Sequence, residues 1–529
     1  MSRVEIFDST LRDGAQAEGI SFSVEDKLKI VKAMDELGVA YIEAGNPGSN
    51  PKDLEFFRRV KDIQLNNAKL TAFGSTRRRN INVSDDANVK SMLEANTEAV
   101  AIFGKSWDFH VTDIIQTTLE ENLKMIEETM AFFKENGKEV FFDAEHFFDG
   151  YKANPEYALQ ALEAAVKGGA DCLVLCDTNG GAMPLEVYEI TKKVCETFSV
   201  RVGIHTHNDC GMAVANSMMA VEAGATHIQG TYIGFGERCG NANLSTIIGN
   251  LQLKKGYHCI PEENLETLTS TALFVAEIAN IVLYDKEPYV GRSAFTHKGG
   301  MHIDGVNKAS HSFEHINPEL VGNTRRFLMS EVAGRSTILK KIAKIAPEIT
   351  KDSEEAKQII DRLKELEHEG YQFEGAESTF ELIIRKHLGK YKSFFELENF
   401  KIIGEKPAKD SKFSAYAMVK VNVDGNEEFT AAEGDGPVHA LDIALRKALE
   451  VFYPQLKEVH LTDYKVKVLD SKDATAGKVR VLLTSSDGKN VWSTVGVSSD
   501  IIKASLIALV DSIEVKLLRD LENKMRAYM

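Results

Sequence analysis

The residues best suited to chemistry are His205 and His207, one threonine apart at the end of an apolar run, RVGIHTH (201–207). Side chains alternate along a strand, so both imidazoles point to the same side, about 7 Å apart along the chain. Two imidazoles so placed can share one metal ion. A buried, hydrogen-bonded histidine pair is the plainer alternative, and the neighbouring residues weigh against it. A third ligand should be a carboxylate. Asp13, in DSTLRDGAQ (8–16), is the best placed, and Asn241, in GFGERCGNAN (234–243), could add a carbonyl oxygen. Such a set suits Zn²⁺, Mn²⁺, Mg²⁺ or Co²⁺ without choosing among them. Its open positions permit a 2-oxo acid to bind through carboxylate and keto oxygens, with the metal as Lewis acid and template. Arg12, beside Asp13, could stabilise an alkoxide developing on the keto oxygen. Glu145 ends an apolar strand, where burial suits it either to acid–base work or to orienting a ligand or water.

These residues need elements to hold them. Eight short apolar runs read as strands: 4–8, 40–45, 69–75, 99–104, 139–146, 172–177, 201–207 and 227–234. Amphipathic stretches such as Ser23–Leu37, Leu119–Asn136, Pro155–Lys167, Pro184–Phe198 and Met212–Ala223 separate them, with Ser23 or Pro155 at helix starts and Gly38, Gly137 or Gly168 at helix ends. Strand–helix alternation eight times over is the pattern of a (β/α)₈ TIM barrel, an α/β fold whose active site sits at the C-terminal strand ends. An open doubly wound sheet is disfavoured because no G-x-G-x-x-G follows the first strand. The strand ends carry Asp13, Glu43, Glu145, Thr178, His205 and His207. A purely structural barrel would not need polar groups at every mouth position.

The expected organisation is a catalytic barrel over 1–261, a helical linker region over 262–395 and a C-terminal α+β domain over 396–529. The linker reads as helices at Leu265–Leu283 and Ser353–His368, interrupted by a loop, HKGGMHIDG (297–305). The last part reads as a β-rich unit plus helix, repeated: strands at Lys412–Val423 and Glu427–Ala432 before a helix at 434–452, then strands at Tyr464–Leu469, Lys478–Ser485 and Val491–Val497 before a helix at Asp500–Leu518. Two such halves could share a core and hold a small regulatory effector, or form a plain dimerisation domain.

The 529 residues exceed one hydrophobic core. A net charge of −16 argues against nucleic acid or an anionic membrane as partner. Six cysteines with no C-x-x-C pair indicate reduced thiols and a cytoplasmic setting, and no signal or transit pattern and no run of about 18 apolar residues is present.

DSTLRDGAQ, DAEHFFDGYKANPEYAL, LCDTNGG, HTHNDCGMAVANS and GFGERCGNANL together resemble the 2-isopropylmalate, homocitrate and citramalate synthase family, over nearly the whole chain. SFSVEDKLKIVKAMDELGVAYIEAGNPGSNPKD, FGSTRR and KSWDFHVT look most like its citramalate-forming branch. The resemblance implies condensation of pyruvate with acetyl-CoA and water, serving a threonine-independent route to isoleucine. It implies that Arg12 polarises the 2-oxo acid, that Asp13, His205, His207 and Asn241 bind a divalent metal, and that Glu145 takes part in acid–base work. Thr178 would contact the substrate carboxylate. His302 would reach the neighbouring subunit's barrel and help deprotonate acetyl-CoA, which makes a homodimer. The C-terminal repeat would be regulatory, with isoleucine as feedback inhibitor. Two places depart from the family pattern. Phe313 stands where relatives often have tyrosine, and the second-strand loop reads EAGNPGSNP, so Glu43, Ala44 and Asn46 bear on substrate selection.

Three rival readings remain. One is 2-isopropylmalate synthesis from 2-oxoisovalerate. Another is the reverse chemistry of a 3-hydroxy-3-methylglutaryl-CoA-type lyase, whose loop after strand 8 carries a reactive cysteine; here Cys239 reads as a buried thiol. The third is a non-catalytic amino-acid sensor, against which the intact mouth residues argue.

Overall fold

The computed structural model describes residues 2–328, 342–343, 345–347, 349–350, 353–405, 414–469, 477–488 and 490–527. Two compact units result. One runs to Thr296 and includes Lys308–Arg326; the other comprises His297–Asn307 and the chain from Phe327.

The first unit is a closed eight-stranded barrel: β1 (Glu5–Asp8), β2 (Tyr41–Glu43), β3 (Lys69–Ser75), β4 (Ala99–Lys105), β5 (Glu139–Glu145), β6 (Cys172–Asp177), β7 (Arg201–Thr206) and β8 (His227–Gly230). All neighbours are parallel, and β1 closes the ring on β8 with Glu5 opposite His227. Phe7, Tyr41, Phe141, Cys172 and Val174 form a buried cluster of their own inside it. Each such side chain removed from water contributes roughly 1.5–3 kcal/mol. The fold class read from the sequence is the one found.

Two strands stop early, for reasons local to the site. β2 ends at Glu43 because Gly45 adopts φ +145°, off the strand path. β8 ends at Gly230, where a turn brings Thr231 into a bridge with Asn243. Helix α1 (Val24–Leu37) starts on a capping box between Ser23 and Asp26 and stops at Gly38 in the left-handed region. Helix α2 (Pro51–Arg59) has Asn50 as N-cap and proline in its first turn.

Elsewhere the sequence expectations need correction. The helix expected at Leu265–Leu283 is a 3₁₀ turn (Glu262–Thr267) and then a helix over Leu268–Ile278 only, stopped just before Asn280 at φ +55°. The segment expected as a loop, 297–305, is mostly helical: α3 spans Gly300–Lys308. Small residues at Gly299, Gly300 and Gly305 suggested turns, but they tolerate a short helix when tertiary packing favours it.

In the second unit, β9 (Glu396–Glu405), β10 (Ser414–Val423) and β11 (Asn426–Gly434) form an antiparallel sheet before α4 (Pro437–Leu449). β12 (His460–Val468), β13 (Val479–Ser486) and β14 (Val491–Ser498) repeat the pattern before α5 (Ile501–Ala527). The α+β repeat is therefore present, with a strand, Glu396–Glu405, that the sequence reading missed. Lys412 and Phe413, the first two residues of an expected strand, lie outside the described residues. Among the described residues no helix is long and apolar enough to cross a membrane.

Candidate active site

The C-terminal rim of the barrel gathers the predicted metal ligands. β7 delivers His205, and His207 follows just beyond it, in a bridge with Asn241. Alternation along the strand puts both rings on one side. Their Nε2 atoms are 3.3 Å apart, and Asp13 Oδ2 lies 3.2 Å from His205 Nε2 and 3.8 Å from His207 Nε2. Asn241 Nδ2 donates to Asp13 Oδ2 at 2.9 Å. All four side chains are buried. Asp13, His205 and His207 each offer a ligand atom within 4.8 Å of the others.

The surroundings orient this cluster. His205 Nδ1 donates to Gln229 Oε1 at 3.0 Å, and Gln229 Nε2 donates to Asp143 Oδ1 at 3.0 Å. Because Gln229 presents its oxygen, His205 Nδ1 carries a proton and the ring is held with Nε2 aimed at the cluster. Asn241 Oδ1 and His207 Nδ1 are buried without a hydrogen-bond partner. The two Nε2 atoms and Asp13 Oδ2 converge, while Asn241 turns its amide nitrogen toward them, so Asp13, His205 and His207 form the donor set and Asn241 would join it only with its amide reversed. The donor set therefore fits a divalent metal.

Electrostatics follow from burial. Burial opposes the charge on Asp13, but Arg12 and then His205 outweigh it and hold its carboxyl well below the usual range. His207 is pushed down to about 4 by burial and by the facing His205. Asp143 is raised to about 6 by burial and then by Glu43. A site that spreads its titrating groups this widely has the character of a functional one.

Arg12 is aimed by three contacts. Its Nε donates to Glu43 Oε2 at 2.7 Å, its Nη1 lies 3.4 Å from Asp13 Oδ2, and its guanidinium sits 3.8 Å over the Phe73 ring. Glu43 is fully buried and also accepts from the Ser9 hydroxyl. Its carboxylate thus faces Arg12. Asn46 shares the wall of a cavity of about 280 Å³ with Arg12 and Phe73.

Glu145 and Thr178 occupy another stretch of the rim. Glu145 is ion-paired with Lys105 at the end of β4, and the Ser106 hydroxyl donates to its carbonyl. Thr178 Oγ1 accepts the His146 N–H at 2.8 Å, a contact made possible by His146 at φ +57°. His302 lies on α3, in the second unit. Cys239, read as buried, is exposed, because it stands in a tight turn between Arg238 (φ +55°) and Gly240 (φ +89°).

Sequence reasoning missed Gln229, Lys105 and Ser9 as parts of the rim. Gln229 in HIQG (227–230) carried a usable signal: a polar side chain inside an otherwise apolar barrel strand.

A family model described as HMGL-like matches residues 3–275, one for a homocitrate synthase post-HMGL domain matches 289–371, and one for the LeuA allosteric (dimerisation) domain matches 374–517. The (R)-citramalate synthase of Aquifex aeolicus is 57% identical over 521 residues, covering 98% of this chain and 99% of its own. The chain belongs to the (R)-citramalate synthase family. Another member, from Geobacter sulfurreducens, is 51% identical over 517 residues and 98% of both chains. A protein of Methanopyrus kandleri named "Probable 2-isopropylmalate synthase" is 34% identical, covering 96% of this chain and 97% of its own.

Proposed function

We propose that the protein condenses pyruvate with acetyl-CoA and water to give (R)-citramalate and CoA. The observation that carries this reading is the Asp13–His205–His207 cluster beside Arg12, in a chain aligned end to end with a citramalate synthase. Asp13, His205, His207 and Asn241 would hold a divalent metal, Mn²⁺, Mg²⁺, Zn²⁺ or Co²⁺. Bound there, it supplies Lewis acidity and a chelating template for a 2-oxo acid.

The chain's own residues do the rest. Arg12, fixed by Glu43, faces the place where negative charge develops on the keto oxygen. Thr178 meets the substrate carboxylate. A base takes a methyl proton from acetyl-CoA; His302 and Glu145 are the groups proposed to move it. The enolate carbon bonds to the keto carbon of pyruvate, and the alkoxide formed takes up a proton. Water then adds its hydroxyl to the thioester carbon, and the thiol leaves as CoA. Asn46 and Phe73 border the cavity beside Arg12 and would set the size of the accepted side chain. The match of 374–517 to an allosteric dimerisation domain supports a homodimer, with isoleucine as the proposed feedback inhibitor acting there.

The test is CoA release measured with pyruvate, 2-oxobutyrate, 2-oxoisovalerate and 2-oxoglutarate. Pyruvate should give the highest kcat/KM. A preference for 2-oxoisovalerate would instead assign the reaction of a 2-isopropylmalate synthase, and no release with any of them would leave the sensor reading standing.

A further inference from the structure

Four consecutive residues after β2 begins its exit are each held from a different side. The Glu43 carboxylate faces Arg12. The Ala44 carbonyl accepts from Lys27 Nζ at 2.8 Å. Gly45 turns the chain at φ +145°. The Asn46 N–H donates to Asp53 Oδ2 at 3.0 Å. Lys27, on α1, and Asp53, on α2, are themselves paired at 2.5 Å, and Lys27 is only 3% exposed. One ion pair thus satisfies both a carbonyl and an N–H of the same short loop. The fit leaves no slack, since a Cβ on Gly45 would lie 2.5 Å from Asp53 Oδ2.

A buried ion pair is a poor way to gain stability, because removing two charges from water costs about what their attraction returns. An apolar pair in its place would leave the loop's carbonyl and N–H unpaired. The pair's effect is geometric, and the geometry it fixes is one wall of the cavity beside Arg12. Lys27, Asp53, Asn46, Arg12 and Phe73 line the same space of about 280 Å³.

We infer that the Lys27–Asp53 pair is a positioning clamp that holds the Asn46 loop against Arg12 and so restricts the 2-oxo acid to a small side chain. The inference rests on the proposed condensation, and it has one readout that does not. Burial pulls the Lys27 ammonium down from the ordinary lysine value, and the facing Asp53 opposes that.

The experiment uses the full chain with Lys27→Met, Asp53→Asn and the double variant Lys27→Met/Asp53→Leu, which leaves no buried charge unpaired. In each, the ratio of kcat/KM for pyruvate to that for 2-oxobutyrate should fall about 10-fold, the scale on which a pocket resolves one methylene. The fall should come from the pyruvate KM, with the acetyl-CoA KM unmoved. Lys27→Arg should restore most of the ratio. Independently of activity, amide hydrogen exchange at Asn46 should quicken by about 10-fold or more in the double variant as local opening becomes easier. A folded double variant with the wild-type ratio and wild-type exchange overturns the clamp. If the wild-type chain releases no CoA from pyruvate, the condensation fails, and the exchange result alone decides whether the loop is clamped.

Discussion

The two ends of the barrel bury charge in opposite ways. At the floor, where the strands begin, charges meet partners. Arg201 lies 2.5 Å from both Glu5 and Glu139, Lys69 lies 2.7 Å from Glu139, and the Tyr41 hydroxyl donates to Glu139 at 2.9 Å. His227 is the exception at the floor: both its ring nitrogens are buried without a hydrogen bond, and it sits 3.7 Å from Glu5 and stacks on Phe141. At the mouth, His205 and His207 face each other across 3.3 Å, and Asp8 Oδ2, Glu43 Oε1 and Asn241 Oδ1 are buried with no hydrogen bond. Unmatched buried polar atoms cost about 1–3 kcal/mol each. The floor matches its carboxylates to cations, whereas the mouth leaves oxygens of Asp8, Glu43 and Asn241 unmatched, which holds that end ready for a ligand.

The sharpest break in that comparison is His207→Ala. Bound metal and CoA release from pyruvate should disappear together, with activity down on the order of 10³-fold or more. Metal analysis beside the activity assay checks this. The converse change at the floor, Arg201→Met, takes the cation from Glu5 and leaves Glu139 with Lys69 alone. It should cost about 3 kcal/mol in urea unfolding, with kcat per folded molecule nearly unchanged. Gln229→Leu tests the support beneath the metal site: it frees the His205 tautomer and should weaken metal affinity by about 10–100-fold, read by calorimetric titration.

The smallest effect concerns Asp8, whose carboxyl burial and Glu43 raise to about 7. The folded state holds this proton more tightly than the unfolded chain does. Its stabilising contribution is therefore complete below about pH 4 and lost as pH rises to about 7. Asp8→Asn should be more stable than wild type at pH 8, and the difference should vanish near pH 4. Unfolding midpoints at the two pH values check the sign.

Much of the mouth was legible because its signals are local. His205-x-His207 on a strand, Asp13 after the first strand and Asn241 after the last need only strand alternation and barrel closure to converge. The clamp was not legible. Lys27 and Asp53 lie on polar helix starts, where a lysine and an aspartate ordinarily face solvent, and only the packing of α1 on α2 shows them buried. Strand β9 was missed because ELENFKIIGE (396–405) interleaves charges with its apolar residues, as suits a sheet with one solvated face. The helix at Gly300–Lys308 was hidden by glycines.

The most direct test of the metal-centred account is CoA release from pyruvate by protein stripped with EDTA and then given Mn²⁺, Mg²⁺, Zn²⁺ or Co²⁺. The account predicts that stripped protein is inactive, that at least one of these ions restores turnover, and that none restores it in His205→Ala. Full turnover by the stripped protein would contradict it.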